Sequence, residues 1–388
     1  MKLALVSLSF LCVFCTSCFQ GNKGKENQNG NPDKVELVAE EVQIPLSEQL
    51  LLQSYYLSSS FHHDSTDFVV GYNYREHTLD VVDVRSRKTS QVKLEQEGPN
   101  GISRRIGGLF VHTLDSIWLC DDTQHAYLLN RNGEVTEKIV LNNGALDGVV
   151  AVGANYAMSV IRLFYNKQRN SLFFAIRSND EQSSKIIVKE QPLEQQRSIK
   201  SYELTPSVTD PDITFKDYGY MSNPNVSFTN EKIIYNYPIE SSVYVIDLPT
   251  MERRVVSADS QFTPNRVPKS SFSDFEGREL FALSNVHFHE VMCLPGEDLY
   301  ARLHVSGATL PDEKDRGKLN ASRKLLLTLF NKDFQVVNEL QLPPRRYSHY
   351  TGWCALHDGI LLFVDNVLSE SEVPEELIFD MYKPIAEK

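Results

Sequence analysis

The sequence predicts an all-β protein, a β-propeller of about six blades, behind an N-terminal signal peptide and a flexible tether. Three observations predict it. The N-terminus is basic, then apolar, and ends in cysteine; short apolar runs follow one another between turn residues; and one hairpin form occurs four times.

Residues 1–17 read as a lipoprotein signal peptide. Lys2 precedes an apolar stretch from Leu3 to Phe14, shorter than the roughly 20 residues of a membrane span and of the length of a signal-peptide core. The run Cys15-Thr16-Ser17-Cys18 closes it and resembles the lipobox of bacterial lipoproteins, with Cys15 where leucine is usual. A cut before Cys15 or Cys12 would set bulky Phe14 or Leu11 beside the bond, so Cys18 is the expected lipidation site. The spacing Cys12, Cys15, Cys18 also fits a metal or redox pattern, but it lies in the segment expected to be lost. A cleaved signal peptide without lipid is the alternative.

Residues 18–33 are polar and rich in Gly and Asn. Such a segment has too little apolar surface to bury a core and reads as a flexible tether. Several acyl chains on Cys18 would hold the protein firmly to a membrane, whereas one binds reversibly.

Residues 34–388 remain as the propeller domain. Loss of Lys2 with the signal takes the net charge from −12 to −13. An acidic protein repels phosphate backbones, so nucleic acid is not an expected partner. With Cys18 lipidated, Cys120, Cys293 and Cys354 are left, each inside an apolar run. Three cysteines make no disulfide framework, and buried inert thiols are expected.

Strand candidates include Phe68–Tyr72, Ser116–Cys120, Lys232–Tyr237 and Ile360–Val364, and no long stretch has a helical period. Ser47 to Leu52 suits one helical turn capped by Ser47. The hairpins run Leu79–Val84 to Gln91–Leu94, Ala126–Asn130 to Val135–Leu141, Val243–Asp247 to Arg254–Val256, and Leu325–Phe330 to Val336–Val337. The second and fourth turns use Asn-Gly and Asn-x-Asp, residues that tolerate positive φ. Further strands precede the hairpins two at a time, which is the plan of a propeller blade. The units fall near 53–94, 108–141, 158–205, 225–257, 285–342 and 351–383. Seven blades stay open because 158–225 and 257–285 are hard to assign, and a β-sandwich is the flat alternative. Stacking around an axis covers both faces of every blade. An extra strand, Lys34 to Pro45, is placed to pair with the last blade and close the ring.

Several stretches carry a family resemblance: Leu94–Ile102, Gly107–Val111 with Asp115–Ile117, Leu129–Gly133, Asp298–Arg302 and Glu375–Tyr382. In these the chain resembles an uncharacterised group of Bacteroidetes lipoproteins, a domain-of-unknown-function family related to six-bladed propellers. The resemblance implies a fold and a cell-envelope address and supplies no catalytic residue. In some Bacteroidetes an acidic cluster after the lipidated cysteine directs the protein outside the cell. None directly follows Cys18, which favours a periplasm-facing protein.

P-loop, nucleophile-elbow, HExxH and EF-hand signatures are absent. His287 and His289 stand two apart and would share a face of a strand. They are a candidate metal pair that lacks a third ligand, and channel-lining histidines are the plainer reading, so no cofactor is expected. His62-His63-Asp64 reads as an exposed loop. The loops leading into blades, 100–105, 217–223 and 345–350, would converge on one face. There Arg104, Arg105, Tyr218, Tyr220, Arg345, Arg346 and Tyr347 would rim the channel mouth, arginine forking onto carboxylate or phosphate and tyrosine stacking on sugars or peptides. The plainer reading pairs these arginines with the protein's own acids. The resulting expectation is a non-enzymatic, lipid-anchored module whose ring face meets a small solute, a glycan or an envelope protein. A hydrolase or lyase using His287 and His289, and a structural part of an envelope assembly, are the alternatives.

Overall fold

The computed structural model describes residues 35–45, 51–141, 148–150 (backbone only), 162–178, 185–194, 197–271, 274–309, 315–365 and 376–386. Cys18, the signal peptide and the tether lie outside the described residues, as does most of the proposed turn at Ser47 to Leu52.

Six antiparallel sheets follow one another along the chain as a six-bladed β-propeller. Blade one is Ser58–His63, Thr66–Asn73, Thr78–Asp83 and Lys88–Lys93. Blade two is Ile106–Thr113, Ser116–Asp121, His125–Leu129 and Val135–Val140. In blade three, Leu163–Asn166 and the short Gly148–Val150 both pair with the second strand, Ser171–Ser178, and share the inner position. Ile186–Pro192 and Lys200–Glu203 complete that sheet. Blade four is Asn225–Phe228, Lys232–Asn236, Val243–Asp247 and Arg253–Val256. Blade five is His287–Leu294, Leu299–Val305, Leu325–Phe330 and Val336–Gln341. Blade six takes Trp353–Ala355, Ile360–Phe363 and Glu376–Ala386 from the C-terminus. Its outer strand is Val35–Pro45 from the start of the domain.

The burial pattern explains why these runs form blades. Middle strands are covered on both faces by neighbouring blades, so they are apolar nearly throughout; every residue of Leu299–Val305 and Leu325–Phe330 is buried. Outer strands meet solvent on one side and alternate, as Val135–Val140 does. The apolar interior is accordingly six separate clusters, each at the seam between consecutive blades. Turn chemistry sets the hairpins. Gly133 stands at φ 80°, and a Cβ there would lie 2.1 Å from the Lys93 carbonyl oxygen, so blade two's outer turn packs on blade one only with glycine.

An up-and-down blade puts two kinds of connection on one face of the ring: links between blades, and loops joining second to third strands. This link face carries the long segments 204–224, 257–286 and 306–324. The region 257–285, left unassigned by sequence, holds no seventh blade among its described residues. It contains the ten-residue helix Phe275–Ser284, whose first turn is capped by the Asp274 side chain accepting from Gly277 N at 2.7 Å. No helix among the described residues is long and apolar enough to cross a membrane.

Val35–Pro45 pairs with Glu376–Ala386 over eleven consecutive positions. Val42 and Ile44, each 1 % exposed, reach the seam between blades six and one, while Val38 is 44 % exposed. Ile44→Ala is therefore expected to cost about 2–5 kcal/mol, and Val38→Ala to stay within about 0.5 kcal/mol of wild type. Urea denaturation followed by circular dichroism checks the pair; equal effects would show that ring closure does not depend on this seam.

Candidate functional site

The six inner strands surround a cavity of 240 Å³ at the ring axis. Among the described residues its only charged lining groups are Arg162, just before the inner strand of blade three, and Glu290, on the inner strand of blade five. An Arg162 terminal nitrogen donates to Glu290 Oε1. The indole N–H of Trp353, from blade six, donates to the same oxygen at 3.2 Å. The Glu290 side chain is 12 % exposed and that of Arg162 37 %. Burial pushes the Glu290 carboxyl up, but the Arg162 guanidinium, followed by His289, outweighs burial and holds it below the usual carboxylate value. Glu290 stays ionised at neutral pH.

Apolar groups form most of the remaining wall. Phe164 meets Phe110 edge-on at 5.0 Å and stacks on Phe228 at 5.8 Å. Ser58 and Ser60 also line the cavity, but their hydroxyls donate to the Trp353 and Ala355 carbonyls, and Ser59 Oγ accepts from Val111 N. These three serines lace blade one to its neighbours.

His287 and His289 lie on the innermost strand of blade five, as expected, but neither lines the cavity; each is 2 % exposed. A bulge between Phe288 and Val291 breaks the simple alternation and separates the histidines from the turn of Glu290 toward the axis. The two rings lie 4.6 Å apart, and His289 packs on Trp353 at 4.8 Å. His289 Nε2 donates to the His349 carbonyl at 2.9 Å. His349 Nδ1 donates to Asn320 Oδ1 at 3.1 Å, and Arg323 donates to the Tyr350 hydroxyl at 2.6 Å. The short helix Arg316–Ala321 brings Asn320 to this cluster. Among the described residues no three His, Cys, Asp or Glu converge to hold a metal ion.

The seven rim residues do not gather at the cavity, and none of them lines it. Arg346 forks onto Asp380, at 2.5 and 2.8 Å, and reaches Glu41 at 2.5 Å. The Tyr347 hydroxyl donates to the same Asp380. Both residues thus fasten the closing strands of blade six, because Asp380 is buried and needs donors. Arg105 pairs with Asp122 on the surface at 3.2 Å. Arg104 is exposed, and with the Gln96 amide turned over it donates to the Gln96 side-chain oxygen at 3.0 and 3.1 Å. Arg345 is exposed at φ 56°. Tyr218 is buried and donates to Asp210 at 3.1 Å, and Tyr220 packs edge-on against Phe215 at 5.4 Å. Tyr218 borders a larger, shallower hollow of 570 Å³, in which Lys269 already spans Asp210 and Asp217 at 3.1 and 3.2 Å. Its lysine and aspartates are matched to one another and its Arg266 is exposed, whereas all six blades enclose the axial cavity, which is the stronger candidate.

The cysteines are free, Cys120 and Cys354 buried and Cys293 half-buried on the cavity wall. Burial pushes all three thiols up, Cys293 to about 11 and the others to about 12. His62 and His63 are exposed at a strand end.

Residues 34–341 match the family described as Domain of unknown function (DUF4221), and the chain belongs to that family. Among solved structures it is similar to a DUF4221 member from Bacteroides vulgatus at 16% identity and a TM-score of 0.72, covering 91% of this chain and 99% of that one. It is also similar to a Bacteroides fragilis protein described as exported, at 12% identity and a TM-score of 0.52, covering 89% of this chain and 95% of that one. At such identities the likeness shows the fold alone. No curated protein matches the chain.

The histidine cluster makes stability depend on pH. Burial holds His289 down at about 4, partly offset by Glu290, and holds His349 down at about 3, helped by Arg323. Burial, then His289 and Arg323, keeps His287 well below the usual value. The unfolded chain therefore binds more protons from about pH 6.5 downward, and stability falls as pH drops through that window. Asp365, which burial raises to about 6, and Glu137, which burial also raises, act oppositely, but His77, His112 and His304 are held down by burial as the cluster is, so two groups stand against six. Urea midpoints should decline from pH 7 to pH 5, and His289→Gln with His349→Gln should flatten the decline. A midpoint that rises on acidification would contradict this assignment.

Proposed function

We propose that this protein is a lipid-anchored cell-envelope protein, facing the periplasm, that binds a small solute in the axial cavity of its propeller. The carrying observation is the cavity itself, enclosed by all six inner strands, with one ion pair at its wall and an indole N–H on the same carboxylate. Its 240 Å³ is below the roughly 300–1,000 Å³ of pockets for drug-sized ligands. That size favours a solute over a glycan chain or a protein segment at the axis. The Cys15–Cys18 run supports the anchor, and the similar Bacteroides fragilis protein described as exported is in keeping with the address.

Two measurements test the reading. Mass spectrometry of the mature protein from membranes should find an acylated Cys18 at the N-terminus, and Cys18→Ala should move the protein to the soluble fraction; an unmodified terminus elsewhere refutes the anchor. Equilibrium dialysis against an envelope metabolite extract should enrich a small solute on the wild type and lose it on Ser227→Phe, which fills the cavity. Equal enrichment by both proteins would place binding elsewhere.

A further inference from the structure

We infer that the axial cavity selects a small zwitterion, carrying one carboxylate and one ammonium group on an apolar body, of the α-amino-acid class. The inference rests on the proposed reading of the cavity as a solute site and names the solute's chemistry.

Charge comes first. Among the described residues Arg162 and Glu290 are the only ionic groups on the wall, and they are neutral as a pair. A singly charged ligand would set a like charge beside one member of a half-buried pair, and like charges at short range in a weakly screened site repel strongly. A zwitterion matches both members. Free bonding capacity is also present. Arg162 uses one terminal nitrogen on Glu290, and its other guanidinium N–H groups have no partner among the described residues. They offer a carboxylate the forked geometry arginine favours. Glu290 Oε1 receives both Arg162 and Trp353, and the carboxylate also accepts from its own backbone N–H; Oε2 takes no side-chain donor among the described residues, so the carboxylate keeps lone-pair capacity for an ammonium group. The protein's own pair need not break, and the four charges alternate.

The rest of the wall sets the body of the ligand. Phe110, Phe164 and Phe228 are half-buried side by side and turn their remaining surface to the cavity, with Met292 on the same wall. This surface suits an aliphatic or aromatic side chain. A sugar would instead need several free donors and acceptors. Three of the four lining serines are committed to bonds between blades, and only Ser227 has no hydrogen-bond partner among the described residues.

The test uses the mature chain, with isothermal titration calorimetry and Trp353 fluorescence. The probes are L-leucine and L-phenylalanine, the single-charge analogues 3-methylbutylamine and 4-methylpentanoate, and glucose. Trp353→Phe assigns the signal, since Trp118 is fully buried away from the cavity. The expected result is an amino acid bound at least tenfold more tightly than either analogue, with no response to glucose. Glu290→Gln should weaken the amino acid at least tenfold while improving 4-methylpentanoate relative to it, a change of preference that simple misfolding does not produce. Ser227→Phe should abolish binding without altering either charge. If an analogue binds as tightly as the amino acid, or glucose binds in its place with loss on Ser227→Phe, the zwitterion class is overturned and the solute site stands. If neither these probes nor an envelope metabolite extract perturbs Trp353 or is retained, the solute site falls as well.

Discussion

Everything in this molecule depends on closing the ring. The apolar interior is divided among six seams, and each exists only because two blades meet there. Five seams join blades adjacent in sequence. The sixth joins blade six to blade one, and blade six is itself finished by the first strand of the domain, so it requires both ends of the chain at once. A chain lacking that strand would leave the Glu376–Ala386 backbone as an open edge and part of a seam wet. Arg346 ties this junction electrostatically, with Glu41 and Asp380 as its two anions from the two closing strands. The residue is thus spoken for by the fold, which is why a role at a ligand mouth does not suit it.

Carboxylates repeat this logic from blade to blade. Asp80 receives Tyr55, Asn73, Thr78 and Gln91; Asp121 receives Tyr127 and Thr123; Glu190 receives Tyr202; Glu240 receives Tyr244 and Thr209; Asp380 receives Tyr347. Burial, reinforced by the carboxylate, pushes phenols such as Tyr55 and Tyr244 far up, so each remains a donor. Blade five departs from the pattern. Its Arg302 is fully buried between the rings of Phe288 and Phe330 and donates to the Ser241 and Ala258 carbonyls of the blade-four region, at 2.7 and 3.0 Å. Burial lowers this guanidinium to about 9, with Glu339 and Asp259 opposing the shift. The seams therefore hold oriented polar contacts as well as apolar area, and such contacts fix register where apolar packing alone tolerates slippage.

The blades were legible in the sequence because burial on both faces writes long apolar runs, and the tight turns between them demand particular residues. Blade three was the hardest to bound, since two short strands share its inner position and leave no single run. The helix Phe275–Ser284 escaped notice because only Leu283 is buried along it, so no apolar stripe marks its period. The site was half legible. Glu290 stood in the histidine-rich run that drew attention, but alternation gave weight to the histidines, and the bulge after Phe288 is a product of pairing with Leu299–Val305. Arg162 carried no local signal, for its partner is 128 residues away. The same limit misdirected the reading of Arg346 and Tyr347, whose charge and aromaticity are visible while Asp380, beyond 30 residues of intervening chain, is not.

The axis of a propeller poses a problem that the seams do not. Each inner strand has a free edge there, and its N–H and C=O groups must find partners or water. In this chain short polar side chains supply many of them: Ser58, Ser59 and Ser60 bridge blade one to blades six and two, and Asn225 and Asn236 donate to the Phe288 carbonyl at 3.0 and 3.3 Å. Once those polar groups are committed to the backbone, what faces the remaining space is mainly aromatic and aliphatic surface, with Arg162 and Glu290 as its only ions among the described residues. The character of the cavity thus follows from how the inner edges are satisfied. Most polar residues at the axis serve the fold, and the ion pair is what remains exposed to the cavity.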